Sequence, residues 1–214
     1  MRRSLPFVML LLACVIAVGQ DPTTDDLRRR ALLGDGEAET GLGFLYQTGS
    51  GGVQKDETNA LYWYRKAADQ GYAPGQYNLG VMYRMGQGGV AKDEGTAVHW
   101  YRLAAEQGFA PAQNDLAWIL SVSTNSQLRN PDMALQYALK AVSSAKRSNK
   151  PDWVCMYQDT LAEVYYVLGQ YEKAVRTEEE TITLLSSNNK NRSEYENHLS
   201  KYRRALKTDA KSAK

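Results

Sequence analysis

A repeat of 37 residues limits what this 214-residue chain can fold into more than any other feature of it. Shifted by 37 positions, residues 34–70 fall on residues 71–107 without a gap. Leu42, Gly43 and Tyr46 then meet Leu79, Gly80 and Tyr83. Gly49, Gly51, Gly52 and Val53 meet Gly86, Gly88, Gly89 and Val90, and Lys55-Asp56 meets Lys92-Asp93. Ala60, Trp63, Tyr64 and Arg65 meet Ala97, Trp100, Tyr101 and Arg102. A period of this length marks stacked units, none of which can bury its apolar face alone. A third copy opens at Gly108-Phe109-Ala110-Pro111-Ala112-Gln113 and puts Leu116-Ala117 in the Leu-Gly place. It then trades the glycine loop for a polar connection from Ser121 to Asn130.

Each unit reads as two helices. Helix A runs over about 36–47, with Leu42 and Leu45-Tyr46 on its apolar face. Helix B begins near Asp56 or Thr58 and carries Ala60, Trp63-Tyr64 and Ala67-Ala68 until Gly71 stops it. Gly43, Gly80, Ala60 and Ala97 are expected to mark close approaches between helices, where a large side chain does not fit. Pro131-Asp132 opens a further helix with Ala134, Leu135, Ala138, Ala141 and Val142 at helical spacing. Beyond residue 150, helices are expected over Trp153–Leu168 and Tyr171–Leu185, with a tight turn at Gly169-Gln170. A last helix over about 193–206 has one apolar stripe (Tyr195, Leu199, Tyr202, Leu206), which suits a cap. The segment from Thr24 to Leu33 suits the other end, with Thr23, Thr24 or Asp25 as its N-cap.

These residues carry a resemblance. Leu-Gly-x-x-Tyr at 42–46 and 79–83, Gly-x-Gly-Gly-Val-x-Lys-Asp at 49–56 and 86–93, and Ala-x-x-Trp-Tyr-Arg at 60–65 and 97–102 look like the Sel-one-like repeat. So does Ala-Ala-x-Gln-Gly-x-Ala-Pro at 67–74 and 104–111. Leu161-Ala162, Tyr165, Gly169, Tyr171 and Ala174 resemble a tetratricopeptide repeat more weakly. Glu178, Thr181 and Ser186 stand where that family favours an aromatic, an alanine and a proline. The resemblance implies an all-α, right-handed superhelical solenoid of antiparallel helix pairs, whose concave face grips a protein or peptide. The expected organisation is a signal peptide over 1–19, a capping helix over 20–33, and Sel-one-like repeats over 34–70 and 71–107. A degenerate repeat over 108–150, a tetratricopeptide-like repeat over 151–190, a capping helix over 191–207 and a tail over 208–214 complete it. Transferred from tetratricopeptide geometry, the groove-facing residues are Thr40, Gln47, Tyr77, Arg84, Asn114, Trp118, Asp159, Glu163 and Tyr166.

The first twenty residues read as an export signal. Arg2 and Arg3 precede an apolar run from Leu5 to Val18, and Ala17-Val18-Gly19 offers small residues for cleavage. An uncleaved anchor or a buried helix is one alternative, and Leu11-Leu12-Ala13-Cys14 also resembles a lipobox, which makes a lipid anchor at Cys14 another. The expected location is the bacterial periplasm, with secretion or lipid anchoring as variants. Loss of Arg2 and Arg3 brings the 26 basic residues down to the number of acidic ones, 24. A neutral mature chain has no general electrostatic reason to hold nucleic acid. No apolar run after the signal is long enough to span a membrane.

Little in the sequence points to catalysis. The glycine loops occur between helices and lead into Lys-Asp, so they read as turns rather than phosphate cradles. Cys155 reads as a small core residue. His99 and His198 are unclustered in the sequence, which argues against a histidine metal site, and Glu178-Glu179-Glu180 reads as a solvated helix face. No cofactor, metal or catalytic residue is expected. The expected function is an exported scaffold for a protein or peptide. The alternatives are an enzyme acting on cell-wall material or β-lactams, and a lumenal quality-control adaptor in a eukaryote, for which glycosylation at Asn191 would speak.

Overall fold

The computed structural model describes residues 22–185 and 189–212, and the expected signal peptide, Cys14 and Ser186 lie outside them. Among the described residues the chain is all-α: ten helices and no strand. They are α1 (Pro22–Leu32), α2 (Gly36–Thr48), α3 (Glu57–Asp69), α4 (Ala73–Met85), α5 (Glu94–Glu106), α6 (Ala110–Val122), α7 (Pro131–Arg147), α8 (Pro151–Val167), α9 (Tyr171–Leu184) and α10 (Arg192–Ser212). The described residues divide into two compact units, the first ending at Asp93 and the second beginning at Glu94.

In the first unit each helix packs on the next, and α2 also touches α4. The boundaries follow local chemistry. Asp35 caps α2 by accepting from the amides of Glu37 at 3.0 Å and Ala38 at 3.2 Å. Asp56 caps α3 in the same way, from Thr58 and Asn59, both at 3.0 Å. These carboxylates satisfy amides that the first helical turn leaves without partners. α2 ends at Gly49, whose φ of 72° is costly for any residue with a Cβ. α1 docks by burying Ala31 against Ala38 and Leu42. Thr24 does not cap α1. It lies inside the first turn, fully buried, and its hydroxyl donates to the Gly51 carbonyl at 2.8 Å.

The close approaches are where the repeat places them. A Cβ on Gly43 would sit 2.5 Å from the Tyr64 ring, and Tyr64 is wholly buried. Its hydroxyl donates to Gln47 Oε1 at 2.9 Å. Ala60 and Ala97 are fully buried. Buried Gln76 donates to the Ala68 carbonyl at 3.4 Å, and its repeat equivalent Gln113 donates to Ala105 at 3.1 Å. The repeat thus includes its own partner for a carbonyl at the end of helix B.

In the second unit, α5 through α10 pack in consecutive contact, and α6 also touches α8. Asn130 caps α7 through the Met133 amide at 3.0 Å. α8 starts at Pro151, two residues before the expected Trp153, because proline is at home in the first turn of a helix. Gly169, at φ 72°, turns the chain into α9. Ala162, Ala174 and Tyr202 form one buried cluster across α8, α9 and α10. α10 runs to Ser212, past the expected end at 207, since nothing between Thr208 and Ser212 breaks a helix.

Candidate functional site

Helices α2, α4, α6 and α8 hold the nine residues expected to face a groove, and the structure divides them. Thr40 is half-buried, and its hydroxyl oxygen is enclosed without a partner among the described residues. Gln47 is spent inside the first unit, accepting from Tyr64 and donating to Gln87 Oε1 at 3.4 Å. Asn114 is buried and donates to its neighbour Asp115 at 3.3 Å. Asp159, Glu163 and Tyr166 lean on α10. Asp159 meets His198 at 2.7 Å, Glu163 accepts from Lys201 at 2.8 Å and from the Tyr202 hydroxyl at 2.9 Å, and Tyr166 lies against the Tyr202 ring. The helix expected to cap the end therefore occupies the side on which those three were expected to stand free. Tyr77 and Arg84 are half-buried, and Trp118 is 40 % exposed.

A different set of side chains stands out on the same helices. Phe44 is 56 % exposed and Met85 57 %. The repeat of 37 carries Phe44 onto Val81 and Trp118, and carries Met85 onto Val122, which is also exposed. The Phe44 position is apolar in all three repeats, half-buried as Val81 in the second, whereas the Met85 position is apolar in the second and third and is Thr48 in the first; the core is filled by Leu42, Leu79 and Leu116. Phe44 and Met85 were missing from the expected set, although the register that gave Trp118 also gives Phe44.

The second feature joins three helices of the second unit. Asp159 of α8, Glu178 of α9 and His198 of α10 bring one ligand atom each to within 4.8 Å of one another. This corrects two expectations. His198 is not isolated, and Glu178 is not on a solvated face: it is 0 % exposed, and neither of its oxygens receives a hydrogen bond among the described residues. The reason lies in the register. Glu178 follows the buried small residue Ala174 by four positions, as Tyr64 follows Ala60, so it occupies the buried aromatic place of the helix pair. Burial, and after it the Asp159 charge, pushes the Glu178 carboxyl up to about 9. Burial also raises Asp159, against the pull of His198. Cys155, one turn before Asp159, is buried, and burial pushes its thiol up, so it is a core residue as expected rather than a nucleophile.

Helix pairs that recur with small residues at their crossings define the chain as a helical-repeat protein. The Sel1 repeat profile matches residues 36–72, 73–109 and 110–145. The chain belongs to the Sel1 repeat family, whose members are typically non-catalytic scaffolds for protein interactions. The matched units begin at the first residue of α2, α4 and α6, two residues after the glycines used above to divide the sequence. The third match includes much of the segment expected to be degenerate.

Two solved structures show the same fold. One is a Sel1 repeat protein from Oxalobacter formigenes, 23 % identical, with a TM-score of 0.61. The match covers 82 % of this chain and 48 % of that one. The other, c5321, a protective antigen of uropathogenic Escherichia coli strains, is also 23 % identical, with a TM-score of 0.59. That match covers 83 % of this chain and 40 % of the antigen, so this chain spans about half the length of these relatives or less. No curated protein sequence matches the chain.

Proposed function

We propose that this protein is an exported Sel1-repeat scaffold that holds a protein or peptide partner against exposed apolar side chains of its A helices, each unit offering contacts of its own. The observation that carries this reading is the exposure of large apolar side chains on the A helices of each unit. Phe44 and Met85 in one unit, and Trp118 and Val122 in the other, remain in water although the core is complete without them. Large apolar and aromatic side chains of this kind carry most of the energy of protein interfaces. The leader-like run from Leu5 to Val18 supports export, with the periplasm as destination. Among the described residues, no helix is long and apolar enough to cross a membrane.

The test is in-cell crosslinking and pull-down of wild type beside a Phe44→Ser, Trp118→Ala double variant. Both side chains are partly exposed and outside the buried core, and circular dichroism with a thermal midpoint checks that the variant is folded before capture is compared. A discrete partner captured by wild type and reduced roughly 30-fold or more in the variant is the expected outcome, as for an interface anchor. Equal capture of the same partners by both proteins would remove these side chains from the reading. The intact mass of the exported protein checks the leader: a chain beginning at Gln20, without lipid, is expected.

A further inference from the structure

We propose that Asp159, Glu178 and His198 form a binding site for one divalent first-row transition-metal ion. The donor set is one imidazole nitrogen and two carboxylates. Asp159 and Glu178 converge there with His198, and ligation by Glu178 releases the proton that its buried carboxyl holds. A dication takes the place of that proton and gives the enclosed Glu178 oxygens, which meet no geometric hydrogen bond among the described residues, a strong electrostatic partner. An imidazole in the set favours ions such as Zn²⁺ or Co²⁺ over Mg²⁺ and Ca²⁺, which prefer oxygen ligands alone.

The geometry is near that of an assembled site. The His198 Nδ1 and Asp159 Oδ1 atoms are 2.7 Å apart, and all three ligand atoms lie within 4.8 Å of each other. Two metal–ligand bonds of about 2.1 Å span at most about 4.2 Å, so rotamer adjustments of less than about 1 Å complete the coordination. The neighbouring turns hold the ligands in place. Glu163, one turn after Asp159, is gripped by Lys201 and Tyr202, which follow His198 on α10. That clamp fixes the α8–α10 register on which the Asp159–His198 approach depends. Glu178 is wholly buried, whereas the Asp159 and His198 side chains keep 23 % and 30 % of their exposure. The site therefore has one closed wall and one face open to solvent, through which an ion enters and water completes the coordination.

This inference stands apart from the partner-binding side chains, since none of its three residues belongs to them. Its test uses the untagged full chain stripped with EDTA and titrated with ZnCl₂ by calorimetry, with CoCl₂ as the spectroscopic probe and MgCl₂ as the competitor. The expected result is one Zn²⁺ per chain, a raised thermal midpoint, visible Co²⁺ absorption from a nitrogen- and oxygen-ligated ion, and no displacement by equimolar Mg²⁺. Glu178→Gln keeps the side-chain size and removes the charge. It should weaken Zn²⁺ binding by more than about 100-fold, beyond the range that losing an outer-shell partner costs. His99→Ala, at an exposed position on α5, should bind as wild type does. No saturable uptake, or uptake of equal affinity in Glu178→Gln, would overturn the proposal. Should Glu178→Gln fail to fold by circular dichroism, the partly exposed Asp159→Asn decides in the same way: an unchanged affinity there refutes the site.

Discussion

The helix pair α2–α3 of the first unit and the pair α8–α9 of the second share a register but close differently. In α2–α3 the helix-B position four residues after Ala60 holds Tyr64, and its ring fills the space left by a glycine, Gly43. In α8–α9 the equivalent positions hold Glu178 and Ala162. There the apolar contact passes to Tyr202, supplied by α10, and the buried place goes to a carboxyl. A single backbone plan thus accepts two interiors. One is sealed by shape within a repeat, and the other is completed by a helix from outside the pair, with a polar cluster beside it. The third repeat shows that the trade is made in pairs. Ala117 replaces the glycine, and the position facing it in register, Tyr64 in the first repeat, becomes Ala138, with both alanines buried.

The comparison can be broken most strongly at Tyr64. Tyr64→Ala is expected to cost about 3–5 kcal/mol in chemical denaturation, the range for emptying a buried aromatic site. Gly43→Ala is expected to cost about 1–3 kcal/mol in wild type, because its Cβ meets the ring, and distinctly less in the Tyr64→Ala background. An equal Gly43→Ala cost in both backgrounds would mean that the ring is not what demands the glycine.

The next effect sharpens the contrast from the other side. With EDTA present, Glu178 keeps its proton in the folded chain until about pH 9, whereas in the unfolded chain it titrates near its ordinary 4.5. Between those values the folded state binds the extra proton, so this group's contribution is complete below about pH 4.5 and is lost as pH rises toward 9. The stability slope from this residue reaches up to about 1.4 kcal/mol per pH unit. Urea unfolding at pH 6, 7 and 8 should show wild type weakening with pH and Glu178→Gln weakening much less. A flat wild-type profile would place a charged, stabilised carboxylate at Glu178. Thr24→Val gives the smallest change. It removes the hydroxyl that holds α1 to the Gly51 carbonyl and should cost about 1 kcal/mol, read as a lowered thermal midpoint.

The fold was readable because the repeat is almost free of gaps. Gly43, Ala60 and Ala97 were marked as close approaches from the register alone, and the helix ends at Asp56 and Gly71 follow from residues that have one conformational purpose. The site was much less readable. Asp159, Glu178 and His198 lie about twenty residues apart on three helices, and periodicity judges each helix separately. Glu178 also sits in a run of three acids, which resembles a solvated face, and only its distance from Ala174 shows that it points inward. Asp159, Glu163 and Tyr166 were assigned to a groove by a geometry that ends with the last repeat. That the following helix would cover them depends on Lys201 and Tyr202, whose reach across to Glu163 no spacing rule gives.

The lock between Gly43 and Tyr64 has a consequence for how such a chain grows. Both partners belong to one stretch of 37 residues, so an in-frame duplication of that stretch copies the knob together with its socket. Whole-unit gains and losses then leave every glycine matched to a tyrosine. A partial duplication separates them and leaves a ring with no room to lie down. Length is accordingly expected to change in steps of a full unit.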